Sequence, residues 1–574
     1  MSEQKIINAS RLGFISWVDE IWGGANTSPN SLTPIRRVLS LMRLCNCNTI
    51  LIDSHAWSSD LCNSDKCWSF YSNSCMSCGD YVEKLPLYGC EFIKKNCYRL
   101  CFFSKEFSDF ESADLVNDDF LGYCIIQTDS FINKNKQSTS RTYVTESVTH
   151  VPKDKPYNEE QFTYYGSHRA VQTINGKRFA VNGNYFSQQN GITNCCANAA
   201  IKMAFRGKYS EITAEKINEA AGVDHKTKLG RAGLDAKEIS NVINRMTTQK
   251  SYLLKSDDLE KLQFIKIIYH AVESRLPVIL LLSKPEEASD PDLQQEPEGI
   301  QGHSVAIMGH TSNNHNWWYY GLKFYFTKSK QLKYLPSLLW CDNFVVQDDN
   351  MGPYYFLPVG FFASMVPVKG KICKFIINSI LRLSAPIPLE LWNYEPVHVV
   401  VSYPEELEFF KHTVSEVEPR VILHVDLFVN LLKEKENEVL RSPSFISYFY
   451  SFYNEGSLIL RSFVIGKEEY INCLKENDQL CEYKNILEQF LPDHFWVTEI
   501  SIPELFWINK KKVGEVISDP RKIENSDGGG IIFMHLPEII CFVIDGTPQP
   551  YRIEKKYVNS ALIRPQGKGV EDNF

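Results

Sequence analysis

The chain runs to 574 residues, and at about 150 residues per domain that length asks for three or four of them. Apolar residues make up 44% and aromatics 13%, which supplies several packed cores and excludes a disordered, collagenous or low-complexity chain. Sixty-one basic against sixty-nine acidic residues leave a net charge of -8, the wrong balance for the basic face of a nucleic-acid binder.

The first residues are polar and charged, with no apolar segment and cleavage site behind them, so no targeting signal is expected. The longest apolar stretches, such as Pro277 to Leu282, fall far short of the roughly 20 residues that span a bilayer, so no membrane association is expected. A reducing, cytoplasmic location follows as the expectation, in which cysteines are thiols, ligands or reactive groups rather than disulfides.

An N-terminal α+β region is expected over 1–160. It opens with a helix around Leu32 to Leu44 and continues through strands at Tyr98–Phe103 and Phe120–Ile126. Ten of the seventeen cysteines lie in it, between Cys45 and Cys124. Cys62, Cys67, Cys75 and Cys78 form a possible four-ligand set. The loop between the pairs is short and lacks the glycine knuckle of a zinc site, so free thiols are expected there. From Asn133 to Glu160 the chain is polar and reads as a loop or linker.

A second region, 161–370, alternates helices and strands. Cys195 to Phe205 is rich in helix formers, Thr213 to Ala221 and Asp235 to Met246 follow, and Asp235 is placed to cap the last. Leu259 to Ser274 is an amphipathic helix that leads into a buried strand ending at Leu282. A third region, 371–574, is again mixed. Strands are expected at Val399–Tyr403, Val421–Val425, Phe495–Ile500 and Ile531–Met534, with a helix at Leu427–Leu440. Gly528 to Gly530 is a turn without the strand–loop–helix context of a phosphate cradle.

Chemistry concentrates in the second region. Gln188-Gln-Asn-Gly-Ile-Thr-Asn-Cys-Cys-Ala-Asn-Ala-Ala200 delivers a polar loop to a helix whose first turn holds a thiol. Unpaired amides at a helix start favour the thiolate, the nucleophilic form. Gln189 stands six residues before Cys195, where its amide can fold back to stabilise an oxyanion together with the Cys195 backbone N–H. A thiolate of this kind needs a base and an orienter. Gly302-His-Ser-Val-Ala-Ile-Met-Gly309 puts His303 at the start of a strand. Phe344-Val-Val-Gln-Asp-Asp-Asn-Met-Gly-Pro-Tyr354 is a strand that ends in Asp348 and Asp349. If the two strands pair antiparallel, Asp348 reaches one imidazole nitrogen while the other faces the thiol.

With its order of Gln, Cys, His and Asp, the stretch from about 180 to 360 resembles the papain-like cysteine peptidases, and most closely the branch of bacteriocin-processing, double-glycine-leader peptidases. The resemblance implies a helical half carrying the cysteine against a β half carrying His and Asp. It assigns Cys195 as nucleophile, His303 as base and then acid, Asp348 as orienter and Gln189 to the oxyanion hole. Two departures keep alternatives open. Cys196 stands where the family often has glycine, and Asp349 competes with Asp348, though the Gln spacing favours Cys195 and the strand end favours Asp348. His303 and Asp348 are also far apart in sequence, so 311–342 is expected to be an inserted ribbon or lid, and the acidic loop Lys284–Glu298 precedes His303. His310 reads as a strand-end histidine.

The expectation is therefore an α+β protein with a central papain-like domain flanked by two mixed domains. It would be a cysteine peptidase cleaving a peptide or isopeptide bond in a protein or peptide substrate, with a regulatory protein partner possible. No metal or cofactor is expected. The alternatives are a Cys-His-Asp acyltransferase of transglutaminase type, and an inactive peptide-binding module.

Overall fold

The computed structural model describes residues 4–11, 33–53, 84–85, 90–132, 138–151, 162–164, 167–189, 196–209, 212–222, 233–258, 261–283, 302–311, 334–359, 395–434, 449, 451–454, 456–475, 483–503, 505–506, 511–523, 530–536, 539–544, 547–552 and 560–563. The zinc candidates Cys62, Cys67, Cys75 and Cys78, the acidic loop Lys284–Glu298 and most of the 311–342 insertion lie outside those residues, as does Cys195. Helices and sheets mix throughout, as the α+β expectation requires.

Strands β1 (Gln4–Asn8), β2 (Thr49–Asp53), β3 (Cys90–Phe103), β4 (Phe120–Ile132) and β5 (Ser138–Thr149) form an antiparallel sheet in that order. Helix α1 (Thr33–Leu44) precedes β2 and buries Ile35, Val38, Leu39 and Met42, the one-sided spacing of an amphipathic helix. β5 overturns the linker expectation for 133–160. Its threonines and valines are β formers, and the hydroxyls find partners on β4, as when the Thr142 and Thr128 hydroxyls bond at 2.9 Å. The hairpin of β7 (His168–Ile174) and β8 (Lys177–Gly183) packs Ile174, Phe179 and Val181 into the same core.

The central sheet is antiparallel, in the order β9 (Gln249–Lys255), β14 (Glu395–Pro404), β10 (Val278–Ser283), β11 (Gly302–Thr311), β12 (Asn343–Asp348) and β13 (Gly352–Pro358). The short β6 (Phe162–Tyr164) adds to the far end of β11. Placing β14 between β9 and β10 shows that this sheet draws on sequence beyond residue 370, where the second region was expected to end. The near-continuous apolar run of β10 follows from burial on both faces.

On one face, Ile279, Leu281 and Val400 meet helices α2 (Cys196–Phe205), α3 (Ala214–Ala221) and α4 (Ala236–Met246). Ala306, Met308 and Val345 meet the N-terminal core. On the other face, Val278, Leu280, Val305 and Val399 pack with α5 (Lys261–Glu273) and the C-terminal sheet. That sheet runs β15 (Ile459–Gly466), β16 (His494–Ser501), β17 (Gly514–Ser518), β18 (Ile531–Leu536), β19 (Ile539–Ile544) and β20 (Thr547–Arg552). The described end of the insertion, Leu335–Pro336, lies parallel against Ile459 and Leu460 of β15.

Val421–Val425, expected as a strand, lies inside helix α6 (Val417–Glu434). Its β-branched residues suggested β structure, but Val417, Val421, Val425 and Phe428 fall at helical spacing and are all buried. Among the described residues, no helix is long and apolar enough to cross a membrane.

Candidate functional site

The site forms where three chain segments meet: the start of α2, the start of β11 and the end of β12. Cys196 opens α2, whose first-turn amides have no partner within the helix. Its side chain is buried, and its Sγ lies 3.9 Å from the carbonyl oxygen of Gly302, one residue before His303. Cys196 is also among the groups that raise the basicity of the His303 imidazole. Cys195, the other candidate thiol, lies outside the described residues.

β11 and β12 pair antiparallel, as the sequence suggested, and this brings His303 to Asp348. His303 Nε2 is 3.0 Å from Asp348 Oδ1. The same oxygen accepts from the backbone amides of Asn350 at 2.8 Å and Met351 at 3.2 Å, so the turn after β12 fixes the carboxylate before the ring meets it. Since a carboxylate accepts, Nε2 carries the proton in the neutral ring, and Nδ1 is the nitrogen left for the thiol.

Burial disfavours the imidazolium. The Asp348 charge and its hydrogen bond, with contributions from Cys196 and Asp349, outweigh it and hold His303 well above the usual 6.5. Burial likewise pushes Asp348 upward, but His303 and the two turn amides hold its carboxyl below the usual range.

Asp349 stands apart from Asp348. It is fully buried, and its Oδ1 is 3.7 Å from His303 Nδ1, beyond hydrogen-bond length. Burial first, and then the charge of Asp348, raise its carboxyl to about 7 against the pull of His303. The ligand atoms of His303, Asp348 and Asp349 all lie within 4.8 Å of one another, and among the described residues this is the one group of that kind. Asp348 holds one ring nitrogen, and the other, Nδ1, lies 3.4 Å from Asn350 Nδ2.

Gln189 reaches the site through an intermediary. Its Nε2 donates to Asn350 Oδ1 at 3.2 Å, and Asn350 Nδ2 is 3.4 Å from His303 Nδ1. The preceding Gln188 exchanges backbone and side-chain hydrogen bonds with Val144, and Ser187 Oγ donates to the Thr145 carbonyl. Ser187 and Gln188 are therefore held by β5 of the N-terminal sheet. Asn350 escaped sequence reading. Its position two residues past Asp348, in a tight turn, was the available signal.

The turn itself is shaped by Gly352, whose φ of 108° suits glycine. A Cβ there would meet the Arg37 side chain of α1 at 2.7 Å. Arg37 in turn donates to the carbonyls of Pro353 and Tyr354.

Other described thiols sit in a different environment. Burial pushes Cys47 and Cys101 up to about 12, which leaves them protonated and unreactive. His310, read as a strand-end histidine, is buried at the other end of β11, 2.7 Å from Glu273. A thiol at a helix start, a carboxylate-oriented imidazole and nearby amide donors form a set able to carry out nucleophilic attack and proton transfer on an acyl group. No protein-family model, curated protein or solved structure matches the chain.

Proposed function

We propose that the chain is a cysteine hydrolase acting on a peptide or isopeptide bond, with Cys196 as nucleophile, His303 as base and acid, and Asp348 as orienter. One observation carries this reading: His303 Nε2 lies 3.0 Å from Asp348 Oδ1, and the Cys196 thiol, at the start of a helix, lies 3.9 Å from the Gly302 carbonyl beside that imidazole.

The thiol proton passes to His303 Nδ1 and the sulfur attacks the carbonyl carbon. A C–S bond forms and the carbonyl π pair moves onto oxygen. Amides at the start of α2 stabilise the developing oxyanion, and Gln189 supports the ring by way of Asn350. The tetrahedral species collapses as the C–N bond breaks, and His303 delivers its proton to the leaving amine. Water then attacks the thioester, giving a proton to His303. The C–S bond breaks, the acid is released and the thiol is restored.

A thiol-directed activity probe tests the proposal, with adduct mapping by mass spectrometry. Labelling at Cys196 that is lost in Cys196→Ala and retained in Cys195→Ala is the expected result. Labelling that follows Cys195 instead would move the nucleophile, and no faster labelling than an ordinary thiol would retire the reading. Adding a primary amine to the assay separates hydrolysis from acyl transfer, since a transferase forms the amide in preference to the acid.

A further inference from the structure

Asp349 has no part in the reaction as described, and little in its surroundings satisfies it. Its side chain is wholly buried, and apart from its own backbone amide neither carboxyl oxygen finds a hydrogen-bond donor among the described residues. A polar group buried in that state costs about 1–3 kcal/mol unless something else satisfies it. Across from it stands His303 Nδ1, 3.7 Å from Asp349 Oδ1. That separation is too long for a hydrogen bond but close to what two ligands of one metal ion require. Bonds of about 2.0–2.2 Å from zinc to nitrogen and oxygen, at the tetrahedral angle, set the two ligand atoms roughly 3.4 Å apart.

The far side of the ring fits the same purpose. A histidine that ligates a metal donates its second ring N–H to a carboxylate or carbonyl, which fixes the tautomer and makes the other nitrogen a stronger ligand. His303 Nε2 meets Asp348 Oδ1 at 3.0 Å, and the Asn350 and Met351 amides hold that oxygen in turn. We infer that His303 Nδ1 and Asp349 form a binding site for a divalent transition-metal ion of the zinc class, with Asp348 as its outer carboxylate, and that the bound ion switches the thiol site off. The ion takes the place of the proton on Nδ1, which passes to solvent. Asn350 Nδ2, at 3.4 Å from Nδ1, makes a long contact that the ion displaces. An imidazole beside a carboxylate suits zinc, whereas magnesium and calcium take oxygen ligands. A metal-bound Nδ1 can neither accept the thiol proton nor serve as base for the water that cleaves the thioester. That consequence rests on the proposed thiol chemistry, and the binding of the ion does not.

The test uses the full chain, stripped of metal with a chelator, and zinc chloride as the probe. Asp348 keeps the ring basic, so the ion competes with a proton, and the titration is run at about pH 8 to ease that competition. Wild type, Cys196→Ala and Asp349→Ala are compared by calorimetry. Zinc taken up by thiols elsewhere is common to the three chains and cancels in the comparison. A site is expected in the wild type and in Cys196→Ala, because the thiol is not one of the two ligands. Its affinity should fall on the order of 100-fold in Asp349→Ala. Equal affinity in the wild type and Asp349→Ala overturns the site. Loss of the site in Cys196→Ala also overturns it, since the ion then belongs to the thiol.

Asp349→Asn, which keeps the shape and removes the charge, covers an alanine chain that folds poorly. At least a tenfold loss of affinity is expected there, and full retention counts against the site. The switch is read in the wild type alone, with p-nitrophenyl acetate as substrate and the rate of Cys196→Ala subtracted. Saturating zinc should lower the steady-state rate on the order of 100-fold, the worth of a general base, and a chelator should restore it. A Cys196-dependent rate that zinc leaves unchanged overturns the switch and spares the proposed function. No Cys196-dependent rate with or without zinc retires the proposed function and the switch with it, and the zinc site is then decided by the titration.

Discussion

His303 gains its basicity from Asp348, and the pair makes a prediction with a definite sign. The imidazole is held above its usual 6.5. That contribution to stability is fully present below 6.5 and is lost as pH rises through the folded value. Asp348 is held below its usual 3.8, so its contribution is present above that value and fades as pH falls through the folded one. Asp348→Asn should therefore lower the melting temperature most near pH 5 to 6, with the deficit shrinking toward alkaline pH. The same variant should slow turnover by on the order of 10³-fold at neutral pH, since an amide cannot hold the tautomer that exposes Nδ1. Retained turnover in Asp348→Asn, measured beside Cys196→Ala, would remove Asp348 from its role. Gly352 supports this chemistry from the turn. Gly352→Ala forces an unfavourable φ and a contact with Arg37, at a cost of about 1–3 kcal/mol readable in urea denaturation.

Elements hold the site by their ends. Helix α4 begins with Asp235 accepting from the Glu238 amide and Glu238 accepting from the Asp235 amide, a reciprocal cap. Asp235→Ala should cost about 1 kcal/mol, a shift in the denaturation midpoint without a change in slope. Gln188 depends on a distant element, since it is anchored to Val144 of β5. Gln188→Ala removes the side-chain half of that anchor and should reduce the reactivity of Cys196 toward the activity probe more than it reduces stability. Equal reactivity in the variant would show that Gln189 and Cys196 are placed without help from the N-terminal sheet. Helix α6 teaches a related point, because Val421 and Val425 are β formers held in a helix by a buried apolar stripe.

Across the whole molecule, β14 and the buried charges decide how much chain the site needs. A chain that ends at residue 370 lacks the strand between β9 and β10, and with it the burial of Val399, Val400 and Val401. Such a chain is expected to fail a cooperative unfolding test. A folded 161–370 fragment would show the C-terminal region to be dispensable. Farther along, Arg461 of β15 is fully buried between Glu273 of α5, at 3.1 Å from its Nε, and Glu499 of β16, at 2.7 Å from its Nη1. Glu273 also holds His310 on the strand that begins with His303. Arg461→Ala takes the shared cation from two buried carboxylates, leaving Glu273 with His310 and Glu499 with Lys512, and should cost on the order of 3 kcal/mol. A loss below 1 kcal/mol by denaturant titration would mean that the network has relaxed around the gap.

Local chemistry in the sequence was enough to mark the helix starts, the apolar run of β10, and the His303 and Asp348 that the fold brings together. Those features depend on propensity, capping and periodicity, which act over a few residues. The meeting of His303 with Asp348 depended on the antiparallel pairing of β11 with β12. The separation of Asp348 from Asp349 depended on a turn whose amides select one carboxylate. Asn350, the threonine-rich β5 and the insertion of β14 into the central sheet were likewise decided by partners distant in sequence. Each is a matter of which groups share a nitrogen, a sheet edge or a buried face, and only the folded chain brings those groups together.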